Sequence, residues 1–155
     1  MKKLLLIFVL FLMPTIANPE SILNPDEWGL KLIAVVVDWC PYCNKWTEEV
    51  VPSYNNPVPL VIINATSGRN IPQWYKKALK LKKVSKLRGI PAFIIWDNET
   101  EVELIRWEGY GGSDHFYQLL DEAINKALQK QQLCGAITSA LERRSAEVCK
   151  AEKIR

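Results

Sequence analysis

The stretch KLIAVVVDWCPYCNKWTEEVV, residues 31–51, joins a strand-like run directly to a pair of cysteines and then to a helical pattern. Residues 31–37 are mostly β-branched and of strand length, which is typical of a strand buried on both faces. Pro41 suits the first turn of a helix, because that turn does not need the N–H that proline lacks. The sequence therefore predicts a strand, a tight turn and a helix, with Cys40 and Cys43 at the start of the helix.

The segments that follow predict further strands and helices. Residues 58–66 form a second apolar strand, and residues 91–107 spell a strand, a polar turn and a strand, which is the pattern of a hairpin. Between them, residues 71–87 repeat apolar side chains at roughly helical spacing, with lysines on the other face. The apolar positions of this predicted helix are Ile71, Trp74, Ala78, Leu81 and Val84 or Ser85.

A longer amphipathic helix is predicted over residues 115–132, and Ser113 or Asp114 can cap it. After Leu133, the sequence predicts one further helix that begins beyond Gly135. The apolar stripe of the longer helix consists of Phe116, Leu119, Leu120, Ala123, Ile124, Ala127 and Leu128.

This order of elements predicts an α/β fold: a central mixed sheet with a parallel first pair of strands and helices on both faces. A length of 155 residues is enough for one globular core. We therefore expect an export signal at residues 1–17, one domain at residues 18–132 and a C-terminal helical extension at residues 133–155.

The N-terminus has the layout of a secretory signal peptide. Lys2 and Lys3 precede an apolar run over residues 4–13, and small residues follow up to Ala17. The run is shorter than the ~20 residues of a spanning helix, so we expect cleavage near Ala17, no membrane span afterwards and a periplasmic location. An uncleaved anchor and a eukaryotic secretory route are the alternatives.

Without the two lysines, 18 basic residues face 17 acidic ones, and this near-neutral charge argues against nucleic-acid partners.

Four kinds of chemistry can use two cysteines three residues apart. A c-type haem needs a histidine directly after the second cysteine, where this chain has Asn44. A zinc site needs four ligands, and Cys134, Cys149 and His115 match no zinc module. A structural disulfide would close so small a loop that it would stabilise the fold little. No metal is therefore expected.

Thiol redox chemistry uses the same placement to advantage. At a helix N-terminus, free N–H groups and the helix dipole favour an anion, so we expect Cys40 to be accessible and to react as a thiolate. Cys43, one turn further on, would be buried and would resolve a mixed disulfide by attacking the Cys40 sulfur. The sequence thus predicts Cys40 and Cys43 as the catalytic residues and as a redox-active disulfide.

These cysteines, together with RGIPAFIIWDNETEV at residues 88–102, resemble the thioredoxin superfamily over about residues 28–130. The resemblance implies a thioredoxin-like fold in which Pro91 follows a cis peptide bond and Gly109 comes just after the last strand. It also implies that the backbone of Ile90 lies beside Cys40, where an extended substrate segment can pair with it.

A closer resemblance links the chain to the small periplasmic thioredoxins associated with bacterial sulfur-oxidation systems. It is carried by RWEGYGGSDHFYQLL, residues 106–120, and by four positions after the cysteines: Trp46, Glu49, Pro52 and Tyr54. Membership implies an exported reductant that keeps protein thiols, such as that of a sulfur-carrier protein, from being trapped as disulfides.

The expected partners are protein disulfide substrates and a membrane thiol-disulfide electron donor. No nicotinamide or flavin motif such as G-x-G-x-x-G is present, so we expect no cofactor. Exposed aromatic residues near a site tend to bind partners, whereas Trp46, Trp96 and Trp107 are expected in the core. The expected substrate-binding residues are Trp39, Pro41, Tyr42, Ile90 and Pro91.

The chain departs from the thioredoxin pattern in one respect that bears on mechanism. Cytoplasmic thioredoxins bury an aspartate six residues before the first cysteine and place a lysine on the next strand. Here Ala34 occupies the first position, and LVIIN at residues 60–64 offers no lysine. The proton acceptor that helps to activate the second cysteine in that family is therefore missing, and water or another group would have to replace it.

Cys134 and Cys149 form a second pair, and an even number of exported cysteines favours a disulfide. If residues 136–149 form one continuous helix, however, the two lie about 20 Å apart, and a disulfide requires Cα atoms within roughly 7 Å. Both outcomes stay open at this point.

Pro41 and Tyr42 between the cysteines resemble glutaredoxins, and Ile90 before the proline resembles reducing thioredoxins, which favours a reductant. Two other functions remain as alternatives: a thioredoxin-fold binding module with a passive disulfide, and a disulfide oxidase or isomerase.

Overall fold

The computed structural model describes residues 29–140 and, within them, the side chains of residues 29–133. The predicted export signal, the side chain of Cys134 and all of Cys149 lie outside the described part, and so does the possible disulfide between those cysteines. The elements are β1 (Leu30–Val36), α1 (Pro41–Glu49), a 3₁₀ turn (Val51–Ser53), β2 (Leu60–Asn64), α2 (Gln73–Lys80), β3 (Ala92–Asp97), β4 (Val102–Glu108) and α3 (Ser113–Ala140).

The four strands form one mixed sheet in the order β2-β1-β3-β4. β1 runs parallel to β2, with Ala34 opposite Ile62, and antiparallel to β3, with Ala34 opposite Phe93. β3 and β4 form the predicted hairpin. The α/β fold class, the mixed sheet and the parallel first pair are thus confirmed.

β1 is buried on both faces, which explains its continuous apolar sequence. Successive side chains of a strand point to opposite faces, so Leu32 and Ala34 pack in a core beneath α1 and α3. Ile33 and Val35 pack in a second core that includes Tyr75 of α2. The sheet is therefore covered by helices on both sides, and its central strand is shielded from water.

Aromatic side chains fix α1 to the sheet. The ring centroid of Trp46 lies 5.2 Å from that of Phe93 on β3 and 6.0 Å from that of Phe116 on α3. The hydroxyl of Tyr110, which follows β4, donates a hydrogen bond to Glu49 Oε2 at 2.6 Å. The helix that begins beside the cysteines is therefore held at its middle and at its end.

Helix α3 has the predicted apolar stripe, and Phe116, Leu120 and Ala127 on it are almost fully buried. The helix continues through Gly135 to Ala140, so residues 134–140 extend α3, whereas the sequence predicts a separate helix beyond Gly135. A glycine inside a helix costs only about 1 kcal/mol relative to alanine, which is too little to force an end at Gly135.

Helix α2 differs from the prediction in length and in its buried face. It ends at Lys80, and its buried residues are Tyr75 and Ala78, whereas Trp74 and Leu81 are exposed. The helix stops because Lys82 adopts a left-handed conformation with φ of 55°. The N–H groups of Lys82 and Lys83 then bond the carbonyls of Leu79 and Ala78, which is the Schellman arrangement usually formed around glycine.

We predict that Lys82→Gly stabilises the protein by about 0.5–1 kcal/mol, since glycine adopts the left-handed conformation without the cost that a Cβ imposes. Lys80→Gly is the matched control, because it places glycine in the helix and should destabilise the protein by about 1 kcal/mol. The measurement is the free energy of unfolding in urea. Equal destabilisation by both substitutions would contradict the proposed helix end.

Candidate active site

Cys40 is the N-cap residue of α1, directly after the turn that follows β1. Its backbone is extended, with φ of −92° and ψ of 113°, and Pro41 begins the helix as predicted. The Cys40 sulfur accepts the backbone N–H of Cys43 at 3.1 Å. The sulfur therefore takes the position that an oxygen of serine or aspartate occupies in an ordinary helix cap, and a helix N-terminus is a favourable place for negative charge.

Both cysteines are free thiols, and Cys40 is less accessible than the sequence predicted. Only 4% of the Cys40 surface is exposed, against 1% for Cys43. The Cys40 thiol lies 3.8 Å from the carbonyl oxygen of Ile90 and joins the core beneath α1. The order of exposure is the expected one, but a substrate sulfur has to reach a recessed atom.

The environment of Cys43 keeps its thiol protonated. The pKa of Cys43 is raised to about 11. Burial is the main cause, and the side-chain hydrogen bond with Cys40 makes a smaller contribution. Because the thiolate is the attacking form, Cys43 has to lose a proton before it can displace a group bound to Cys40.

The expected substrate-binding residues come together around Cys40. Trp39 and Tyr42 are 73% and 61% exposed, and Pro41 between the cysteines is also exposed. Ile90 is half-buried, and the peptide bond between it and Pro91 is cis. The fold thus brings the turn after β1 beside a loop 50 residues further along the chain.

Gly109 ties that loop to the end of β4. Its φ of +87° is one that residues with a side chain rarely adopt, and its N–H donates to the Pro91 carbonyl at 2.7 Å. The glycine after the last strand therefore has a physical role beside the site. Trp46 and Trp96, by contrast, are buried in the two cores, as expected.

Sequence reasoning did not single out a polar cluster beside Cys43. The Asn64 side chain donates to Asp38 Oδ1 at 2.5 Å, and the Asp38 N–H donates to Thr66 Oγ1 at 2.7 Å. The Asn44 side chain donates to the Asp38 carbonyl at 3.2 Å. Asp38 follows β1, and Asn64 is the last residue of β2, which runs parallel to β1. Sites commonly form at the carboxyl ends of parallel strands. That placement was the available signal.

The cluster borders a cavity of about 300 Å³ that Cys43 also lines. Cys43, which is 1% exposed, therefore lies in the wall of this open space together with Asp38. The lining residues are Val36, Val37, Asp38, Cys43, Asn44, Thr47, Glu48, Ile62 and Asn64.

Other features of the described residues offer no competing site. A cavity of about 430 Å³ beside β4 is bordered by Arg106, which pairs with Glu103 and Glu108. Within residues 29–140, no three or more His, Cys, Asp or Glu side chains are grouped to hold a metal ion. No helix in the same range has the length and apolar character needed to cross a membrane.

We predict that iodoacetamide modifies Cys43 at least about 100-fold more slowly in native Cys40→Ser protein than in the same variant unfolded in urea at pH 8. Burial, the largest cause of the raised Cys43 pKa, persists in this variant and leaves little of the reactive thiolate at that pH. Mass spectrometry of the alkylated fraction against time gives both rates. Similar rates in the two states would show that Cys43 is neither buried nor held protonated.

The fold of this chain is similar to that of a solved thioredoxin. Among solved structures, the reduced form of the periplasmic thioredoxin SoxS from Paracoccus pantotrophus aligns with a TM-score of 0.50 and 24% identity, over 63% of this chain and 98% of that one. Thioredoxin f2 from Chlamydomonas reinhardtii aligns with a TM-score of 0.45 and 19% identity, over 61% and 78% of the two chains. The short form of spinach chloroplast thioredoxin f gives 0.44 and 18%, over 71% and 88%.

No curated protein sequence matches the chain. The model of the thioredoxin-like domain family, in contrast, matches residues 26–124, which is more than half of the chain. This span contains the whole sheet, both cysteines and the loop at Ile90. The chain therefore belongs to the thioredoxin-like domain family.

Proposed function

We propose that this protein is an exported thiol-disulfide oxidoreductase that reduces protein disulfides through Cys40 and Cys43. The observation that carries the proposal is the Cys40 sulfur in the helix cap, bonded to the Cys43 N–H at 3.1 Å. Membership of the thioredoxin-like family supports a thiol redox function. A capping sulfur with a second thiol one turn behind it is suited to two successive exchanges.

The proposed reaction begins when the Cys40 thiolate attacks one sulfur of a substrate disulfide. A bond forms between Cys40 and that sulfur, and the other substrate sulfur leaves with the electron pair of the broken bond. The Cys43 thiolate then attacks Cys40, which forms the bond between the two cysteines and releases the second substrate thiolate. The substrate gains two electrons, and the cysteine pair loses them.

The surface around Cys40 supports a protein substrate. Trp39 and Tyr42 are the exposed aromatic side chains next to the cysteines, and such residues supply contact area at binding surfaces. The Ile90 carbonyl lies beside the Cys40 sulfur. An extended substrate segment that paired with this backbone would bring its disulfide to the recessed thiol.

Export and reductant supply complete the proposal. The lysines and apolar run at residues 1–17 support export, and the structural similarity to a periplasmic thioredoxin is in keeping with a periplasmic location. We expect the electrons to come from a membrane thiol-disulfide donor, because the sequence carries no nucleotide-binding motif. A sulfur-carrier protein is the client class that the sequence resemblance suggests.

We predict that the mature protein accelerates the reduction of insulin disulfides by dithiothreitol, and that Cys40→Ser abolishes the acceleration. Cys43→Ser should leave the first attack intact and retain clients as mixed disulfides on Cys40, because no second thiol can release them. Turbidity follows insulin reduction, and non-reducing gels with mass spectrometry identify the adducts formed in periplasm.

A binding module with a passive disulfide would give no acceleration over buffer and no adduct on Cys43→Ser while Cys40 is intact. A disulfide oxidase or isomerase would be indicated by a reduction potential near about −180 mV or above, and a reductant by a value well below it. The proposed reduction would be contradicted by the absence of both acceleration and adduct, or by a potential near about −180 mV or above.

We predict that Trp39→Ala and Tyr42→Ala raise the KM for a protein substrate about fivefold, as expected for aromatic residues in a binding surface. The free energy of unfolding should change by less than about 0.5 kcal/mol, because both side chains are exposed. Leu133→Ala, which removes an exposed apolar side chain on α3, is the control. An unchanged KM in both variants would remove these two residues from the substrate surface.

A further inference from the structure

The fold leaves open how Cys43 loses its proton during the second exchange. Ala34, fully buried on β1, occupies the position at which cytoplasmic thioredoxins bury an aspartate. Lys31 is the only charged residue on β1 and β2. Its ammonium group lies 4.6 Å from the ring centroid of Trp74, and the alternation of strand side chains puts it on the face opposite Ala34. Neither strand therefore supplies a proton acceptor to Cys43.

The cavity beside Cys43 has proton acceptors among its lining residues. These include Asp38 and Glu48, which carry carboxylates, and the polar residues Asn44, Asn64 and Thr47. Its volume of about 300 Å³ is ample for several water molecules, since one requires only about 10–15 Å³ of probe-occupied space and a few polar partners. The polar residues available to take up the Cys43 proton are therefore those that line this cavity.

The two carboxylates are held very differently. The Asn64 side chain donates a hydrogen bond of 2.5 Å to Asp38 Oδ1, and the Asp38 N–H donates one to Thr66 Oγ1. Asp38 and Glu48 are both exposed, but the Glu48 side chain makes no hydrogen bond or ion pair with another residue whose side chain is described. A fixed acceptor loses less conformational freedom at each turnover than a mobile one.

The geometry points to Asp38 as the proton acceptor for Cys43, acting through water in this cavity, with Asn64 as the residue that positions it. The inference rests on the proposed function. The proton leaves the Cys43 sulfur for the Asp38 carboxylate, and the resulting thiolate attacks Cys40. The bond between Cys40 and the substrate breaks, and the departing thiolate takes up a proton that Asp38 returns through solvent.

Asp38→Asn tests the acceptor directly. The asparagine keeps an oxygen for the Asn64 side chain, so the local bonding can persist while the proton affinity is lost. Mixing reduced protein with one equivalent of dithionitrobenzoate gives two releases of thionitrobenzoate: the first reports attack by Cys40, and the second reports attack by Cys43. We expect Asp38→Asn to slow the second release about tenfold or more at pH 7 and to change the first by less than about threefold.

The pH profile distinguishes lost proton transfer from a structural defect. In Asp38→Asn, the second release should accelerate about tenfold per pH unit as hydroxide ionises Cys43 directly, and should approach the wild-type rate by about pH 10. Asn64→Ala keeps the carboxylate but removes its anchor, and should slow the second release by a smaller factor. Glu48→Gln, in the same cavity, is the matched control and should leave both releases unchanged.

Three results would overturn the inference: a wild-type second release in Asp38→Asn, an equal loss in Glu48→Gln, or a deficit in Asp38→Asn that stays constant with pH. These three results differ from those expected if the proposed function itself is wrong. If it is wrong, the wild-type protein shows no second release of thionitrobenzoate and no reduction of insulin.

Discussion

Burial of β1 on both faces sets the position of the cysteines and of the elements around them. The strand lies between β2 and β3, and its two sets of side chains belong to two separate cores. A strand so enclosed has a fixed register, because a slip of one residue would exchange the two faces. The turn after β1 therefore leaves the sheet at one defined place, and Cys40 caps α1 there.

The same packing produces the chemical difference between the two cysteines. Trp46 holds α1 against β3 and α3, so the side of the helix that carries Cys43 faces the core. Burial then raises the Cys43 pKa, and the sulfur one turn earlier sits in the helix cap. One thiol is thus placed for the first exchange, and the other stays protonated until an acceptor removes its proton.

Some elements could be predicted because their sequence pattern is long and is set by burial alone. The apolar run of β1, the hairpin of β3 and β4 and the stripe on α3 have the periods that a buried strand and a buried helix face impose. The end of α2 could not be predicted, because Lys82 adopts the left-handed conformation that glycine usually supplies at a helix end. Hydrogen bonds from the N–H groups of Lys82 and Lys83 to two carbonyls of the preceding turn hold it there. Local propensity gave no sign of this.

At the site, the amino-acid sequence alone identifies the atoms of the proposed chemistry: two sulfurs three residues apart, at a helix start directly after a buried strand. Their surroundings depend on the packing of distant segments. The Ile90 carbonyl comes from 50 residues away, and Asn64 from the neighbouring strand fixes Asp38 beside the Cys43 cavity. The physical reason is that spacing along the chain sets contacts within one helical turn, whereas accessibility, pKa and proton routes depend on groups that only the packed sheet brings together.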